Sequence, residues 1–124
     1  MAELAAYTGA NLFTATATSA SIARGLRVSL ASTGLVAAAA STVRGDYVAS
    51  QAVAASGVAA FFPIQPGGIV PMVGDGALSV GDTIYSAASG KVGATSTSTV
   101  ILGKANTACS GDGVLFEVLI NNPL

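Results

Sequence analysis

The sequence predicts an all-β fold: a small barrel-like or β-tulip-like domain built from two weakly repeated hairpin pairs, with an extended N-terminal arm. Two observations predict it. Short runs of Val, Leu, Ile and Ala are separated by clusters of Ser, Gly and Asp, the residues that tight hairpins require. An offset of 56 residues brings Ala23–Ala38 onto Ser79–Ala94, with Gly25 over Gly81 and Gly34 over Gly90. Glycines in register have a conformational cause, because a turn that needs positive φ then recurs at the same place in both copies.

Taken in order, residues 1–22 read as the arm and residues 23–124 as one β-domain, with repeat copies at about 23–64 and 79–120. In the arm, Leu12-Phe13-Thr14-Ala15-Thr16-Ala17-Thr18 alternates with the period of a strand. Such an arm either adds a strand to its own domain or reaches to a neighbour. The first copy gives strands at Leu26–Leu30, Leu35–Ala39, Asp46–Val53 and Val58–Ile64. The second gives Asp82–Ser86, Lys91–Thr95, Thr99–Asn106 and Val114–Ile120. Turns fall at Ser32-Thr33-Gly34, Ser56-Gly57, Ser89-Gly90 and Ser110-Gly111-Asp112-Gly113. An offset of 54 aligns the later block, Tyr47–Ile64 with Ile101–Val118, and sets Ala55 against Cys109 and Phe62 against Phe116. Between the copies, Pro63-Ile64-Gln65-Pro66-Gly67-Gly68-Ile69-Val70-Pro71 is extended or turning and cannot be helix. The alanine runs at Leu35–Ala40 and Ala49–Phe62 also suit a helix. The Gly93 interruption and the Thr/Ser alternation in the second copy favour strand.

At 124 residues there is room for one domain, and Ala, Gly, Ser and Thr fill just over half of it. Small side chains bury little area each, so stability has to come from backbone pairing, close packing and neighbouring subunits. Five basic and six acidic residues give a net charge of −1, which cannot neutralise a run of phosphates, so nucleic acid is not expected as a partner. The uncharged stretches Leu4–Ala23 and Tyr47–Gly74 are broken by polar residues, Gly or Pro, and neither reads as a membrane span. The start Met1-Ala2-Glu3-Leu4 lacks a secretory pattern, which predicts synthesis in the cytoplasm with Cys109 kept as a thiol.

The chemistry that the chain can carry is narrow. There is no His and a single Cys, which excludes histidine acid/base catalysis, multi-cysteine zinc sites and an internal disulfide. Four of the six carboxylates, Asp46, Asp75, Asp82 and Asp112, sit beside Gly and read as turn caps. No calcium loop, phosphate-binding glycine loop or Ser-x-x-Lys nucleophile occurs. Neither a cofactor, a metal nor an enzymatic activity is expected. Phe61-Phe62 and Leu115-Phe116 place large neighbours on opposite strand faces, so one of each pair points away from the barrel and predicts burial against another chain. The candidate capsid or subunit interface is Tyr7, Leu12, Phe13, Arg24, Arg27, Phe62 and Ile64.

Gly25-Leu26-Arg27-Val28, Ala54-Ala55-Ser56-Gly57, Ala77–Tyr85, Ser89-Gly90-Lys91-Val92, Val100–Ala105 and Ser110–Ile120 together resemble the small alanine- and glycine-rich decoration, or cement, proteins of tailed-bacteriophage capsids. The resemblance covers roughly residues 23–120. It implies a compact barrel-like or tulip-like β-domain that forms homotrimers and clamps junctions between major capsid proteins on the outer surface of the virion. The segment Phe62-Pro63-Ile64-Gln65-Pro66 departs from the plain strand of that pattern. The alternative is a phage or bacterial adhesion module, with Thr14-x-Thr16-x-Thr18 and Thr95-x-Thr97-x-Thr99 as hydroxyl arrays for carbohydrate or ice.

Overall fold

The computed structural model describes residues 12–95 and 100–121. Within them the chain forms ten strands in two successive sets. The first set is β1 (Phe13–Ala17), β2 (Arg27–Leu30), β3 (Leu35–Ala38), β4 (Tyr47–Ala49) and β5 (Val58–Pro63). The second is β6 (Ile69–Val73), β7 (Thr83–Ser86), β8 (Val92–Gly93), β9 (Ile101–Ala105) and β10 (Leu115–Ile120). No α-helix occurs among the described residues. The alanine runs form β3, β4 and β5 instead, because cross-strand pairing on both sides outweighs the helical preference of Ala.

The first five strands close into a barrel in the order β1-β3-β2-β4-β5. β1 returns antiparallel to β5, pairing Phe13 with Phe61 and Ala15 with Ala59, and runs parallel to β3 through Thr16–Leu35 and Ala17–Val36. The second five form a sheet in the order β6-β10-β9-β7-β8, the same cyclic order. Its outer strands meet at one parallel bridge, Gly74–Val92.

The repeat is far stronger in the backbone than in the side chains. Ile22 and Val53 exchange main-chain hydrogen bonds of 2.9 and 2.8 Å, and Leu78 and Cys109 exchange a pair of 2.9 Å, each residue shifted by 56. Gly25 N donates to Ala49 O at 2.9 Å and Gly81 N to Ala105 O at 2.8 Å. The two glycines hold φ of 86° and 89°, values that a residue with a Cβ rarely adopts. The 56-residue register therefore runs unbroken through Val53 and Cys109. This corrects the sequence alignment that paired Cys109 with Ala55 in a turn: Cys109 is a buried bridge residue.

The expected strands of both copies are present, each of them trimmed by a residue or more at the ends. Of the segment 1–22, residues from 12 onward are described, and of the two outcomes expected for it Phe13–Ala17 take the first, adding a strand to their own domain. One feature differs from the sequence reading. β6 emerges from the Pro- and Gly-rich connection and fills the place in the second set that β1 fills in the first. Pro71 is tolerated there because it faces Glu117, between the Met72–Phe116 and Val70–Val118 pairs. Gly74 N donates to Val114 O, so N–H groups at alternate positions from Gly74 face β10 and the missing one at Pro71 faces away.

Two cores result. Ala17, Ile22, Val28, Val36, Ala49, Val53, Ala59 and Phe61 fill the first barrel. Val70, Met72, Leu78, Ile84, Val92, Leu102, Ala105, Cys109, Phe116, Val118 and Ile120 fill the second, and Val48, Phe62 and Ile64 of the first half join them. Phe61 and Phe62 thus face opposite sides of β5, as strand geometry requires. The cover over Phe62 is the second half of the same chain, not another chain, which corrects that expectation. The alignment of Phe62 with Phe116 also fails, since Phe116 lines its own sheet's interior.

Candidate assembly surface

On the outer face of the first barrel, Arg27 pairs with Val48 across β2 and β4, and Val48 with Phe62 across β4 and β5. The second half covers this row. Arg27 is 0 % exposed, and no carboxylate partners it among the described residues. Its guanidinium donates through Nε to Lys91 O at 3.0 Å and through Nη1 to Val43 O and Arg44 O at 2.7 and 3.0 Å. Nη2 donates to Ala40 O at 3.4 Å and Ala87 O at 2.5 Å. Burial pushes its pKa down to about 10. Five carbonyl acceptors drawn from both halves make Arg27 a bolt between them, which the fixed fork of Arg allows and a point charge does not.

The row at the same place on the second sheet is Thr83–Lys104–Leu119, defined by the pairs Thr83–Lys104 and Lys104–Leu119. It is open at Thr83 and Lys104 and half-buried at Leu119.

A second feature is the crossing of the 23–26 loop over the outer side of β6 and β10. Val73 N donates to Gly25 O at 3.3 Å. A Cβ on Gly25 would collide with Leu115 Cδ2 and meet Val73 Cγ2 at 3.1 Å. Beside this crossing lies an open groove of about 330 Å³, lined by Arg24, Pro71, Thr107, Leu115, Phe116 and Glu117. Glu117 is held there by Asn106 Nδ2 at 3.1 Å. The groove has apolar walls, one cation and one carboxylate, and holds no nucleophile paired with a base.

The mouth of the first barrel is aromatic. Phe13 stacks on Tyr47 with centroids 5.3 Å apart, and Tyr47 lies 6.4 Å from Phe61. Phe13 remains 43 % exposed. Along β1 and β5, Ala15, Ala17, Ala59 and Phe61 face the core, which turns Thr14, Thr16, Val58 and Ala60 outward. This face carries no charge.

The seven candidate residues therefore separate. Tyr7 lies outside the described residues. Leu12, Phe13 and Arg24 are at the surface, while Arg27, Phe62 and Ile64 are buried within the chain. Two surface residues missed in the sequence stand out: Val58, 63 % exposed, and Val80, 66 % exposed. Each sits beside a turn glycine that is legible in the sequence, and turn tips are exposed by construction. Of the threonine arrays, Thr14 and Thr16 do lie on one outward face, whereas Thr97 and Thr99 fall outside the described residues. No group of three or more His, Cys, Asp or Glu side chains able to hold a metal occurs among the described residues.

No family model matches the chain, and no curated protein matches it. Among solved structures, the fold is similar to that of the head fiber gp8.5 N base in bacteriophage phi29, with a TM-score of 0.70 and 20 % identity over 90 % of this chain and 94 % of that one.

Proposed function

We propose that this protein is a structural component of a phage virion that decorates the outer surface of the capsid as a homotrimer and stabilises it at junctions between major capsid proteins. The observation that carries this reading is the fold shared with a phage head fiber base across nearly the full length of both chains. The chemistry of the surface supports it. The described surface offers uncharged strand faces and exposed Val, Leu and Phe side chains, which lose little on desolvation and gain when covered. Many weak contacts repeated over a symmetric shell add through avidity. The role is adhesive and not catalytic.

The test is cosedimentation of the purified chain with expanded capsids lacking it, together with micrographs of the particles. Saturable binding at repeating surface positions and a raised disruption temperature of the decorated shell are expected. A chain that stays in the supernatant at micromolar concentration overturns the reading.

A further inference from the structure

Resting on the virion reading above, we infer that copies of this chain join head to tail, the Ser79–Asp82 loop of one copy seating on Thr16 and Val58 of the next. This repeats between chains the contact that the 23–26 loop makes on Val73 and Leu115 within each chain.

The internal contact provides the template. Gly25 presses on Val73 and Leu115, which face each other across β6 and β10. Gly81 occupies the place of Gly25 in the second half, with the same φ and the matching hydrogen bond to Ala105. Nothing lies within 4 Å of a Cβ built on it. On the receiving side, Thr16 and Val58 face each other across β1 and β5 as Val73 and Leu115 do, each pair outward and at the same end of its closing strand. Among the described residues, one copy of the chain therefore uses one loop and one receiving face and leaves one of each unfilled.

The unfilled pair carries the signature of a covered surface. Val80, in the free loop, and Val58, on the free face, are the two most exposed large apolar residues described. The receiving face has no charged side chain to desolvate, and the Asp82 carboxylate of the loop is already engaged by Ser79 N at 2.8 Å. A cyclic trimer requires this kind of contact, in which one patch meets a different patch on the neighbour. The row behind the loop also predicts a wetter interface than the internal one, because Lys104 stands where Val48 does. Such an interface suits chains that fold first and assemble afterwards.

The experiment is sedimentation of the full chain, with Val80→Glu, Val58→Glu and Thr16→Arg made singly and circular dichroism confirming the fold. The wild type is expected to run as a closed oligomer, and each variant as a monomer. An equimolar mixture of Val80→Glu and Val58→Glu restores one good loop and one good face, so the mixture alone forms a dimer. Wild-type mass retained by Val80→Glu, or by both Val58→Glu and Thr16→Arg, overturns the inference, as does a mixture that stays monomeric. A monomeric wild type that still binds capsids overturns this inference, and the homotrimer with it, and leaves the capsid-binding part of the virion reading standing. An oligomer that ignores capsids does the reverse.

Discussion

Arg27 and Ala87 lie 60 residues apart, yet the Arg27 guanidinium donates to the Ala87 carbonyl at 2.5 Å across the junction of the two halves. Desolvation lowers the Arg27 pKa to about 10, so at pH 7 the charge is present in both folded and unfolded chains and its burial cost is fully felt. The five carbonyl bonds offset that cost only while the fork is intact. Arg27→Met leaves the Val43, Arg44 and Ala87 carbonyls without this donor and is expected to destabilise by on the order of 3–5 kcal/mol. Arg27→Lys, with three donors on one atom, falls between Met and wild type. Because the folded pKa lies below the unfolded one, the folded state releases its proton first as pH rises. The Arg27 contribution to stability therefore grows as pH rises through about 10. Urea melts of wild type and Arg27→Met at pH 8 and 10.5 check this: the gap between them should widen at the higher pH.

The hairpins were legible because turn chemistry is local: Ser56 and Ser89 adopt positive φ beside Gly57 and Gly90, where the Ser-Gly pairs predict turns. β6 was not, because prolines at 66 and 71 read as punctuation unless the N–H direction at Pro71 is known. Arg27 was illegible for a different reason. Its partners are all main-chain carbonyls, and no residue type in the sequence marks them. Phe62 was half legible: strand alternation says that it faces away from its barrel, but what covers it depends on how the second half docks. The surface was read least well, since Val58 and Val80 look like ordinary strand and loop apolars until the repeat shows that one copy of their contact is missing.

Glycine substitutions should rank by what the new Cβ meets. At Gly103 it would run into the Leu119 carbonyl of the neighbouring strand, and main chain cannot yield without breaking the β9–β10 pairing. Gly34→Ala has open space but φ of +86°, a strain of about 1 kcal/mol. Gly76→Ala has open space and no such φ, so it stays within about 0.5 kcal/mol of wild type. Thermal melts should give the order Gly103→Ala far below Gly34→Ala, and Gly34→Ala below Gly76→Ala. Gly103→Ala matching wild type would contradict the close approach of β9 and β10.

Gly74 and Cys109 form a coupled pair. A Cβ on Gly74 would stand 2.6 Å from Cys109 Sγ, which is itself buried and turned toward the Gly111 and Val114 carbonyls at 3.2 and 3.5 Å. Gly74→Ala should be destabilising alone and markedly less so in a Cys109→Ala background, a coupling of roughly 1–2 kcal/mol in a double-mutant cycle. The same burial makes the thiol unreactive in the native chain. Its labelling by an aromatic disulfide reagent should follow global unfolding, and rapid native labelling would contradict the placement of Cys109 in the second core.

The two sets of strands are expected to melt as one unit. Val48, Phe62 and Ile64 belong by sequence to the first barrel but complete the core of the second, and among the described residues the second sheet's own outer strands meet only at Gly74–Val92. Without the first half, that sheet loses three large apolar side chains and the cover over β6, so residues 67–121 alone should be unfolded. In the intact chain, calorimetry should show a single transition whose van't Hoff and calorimetric enthalpies agree. Phe62→Ala should lower its midpoint with a cost of about 3–5 kcal/mol and keep it single, because the Arg27 bolt still ties the halves together. The double variant Arg27→Met, Phe62→Ala removes both ties and is the one expected to split the transition in two. A split already present in the wild type would mean that the halves fold independently and that Val48, Phe62 and Ile64 do not share the second core.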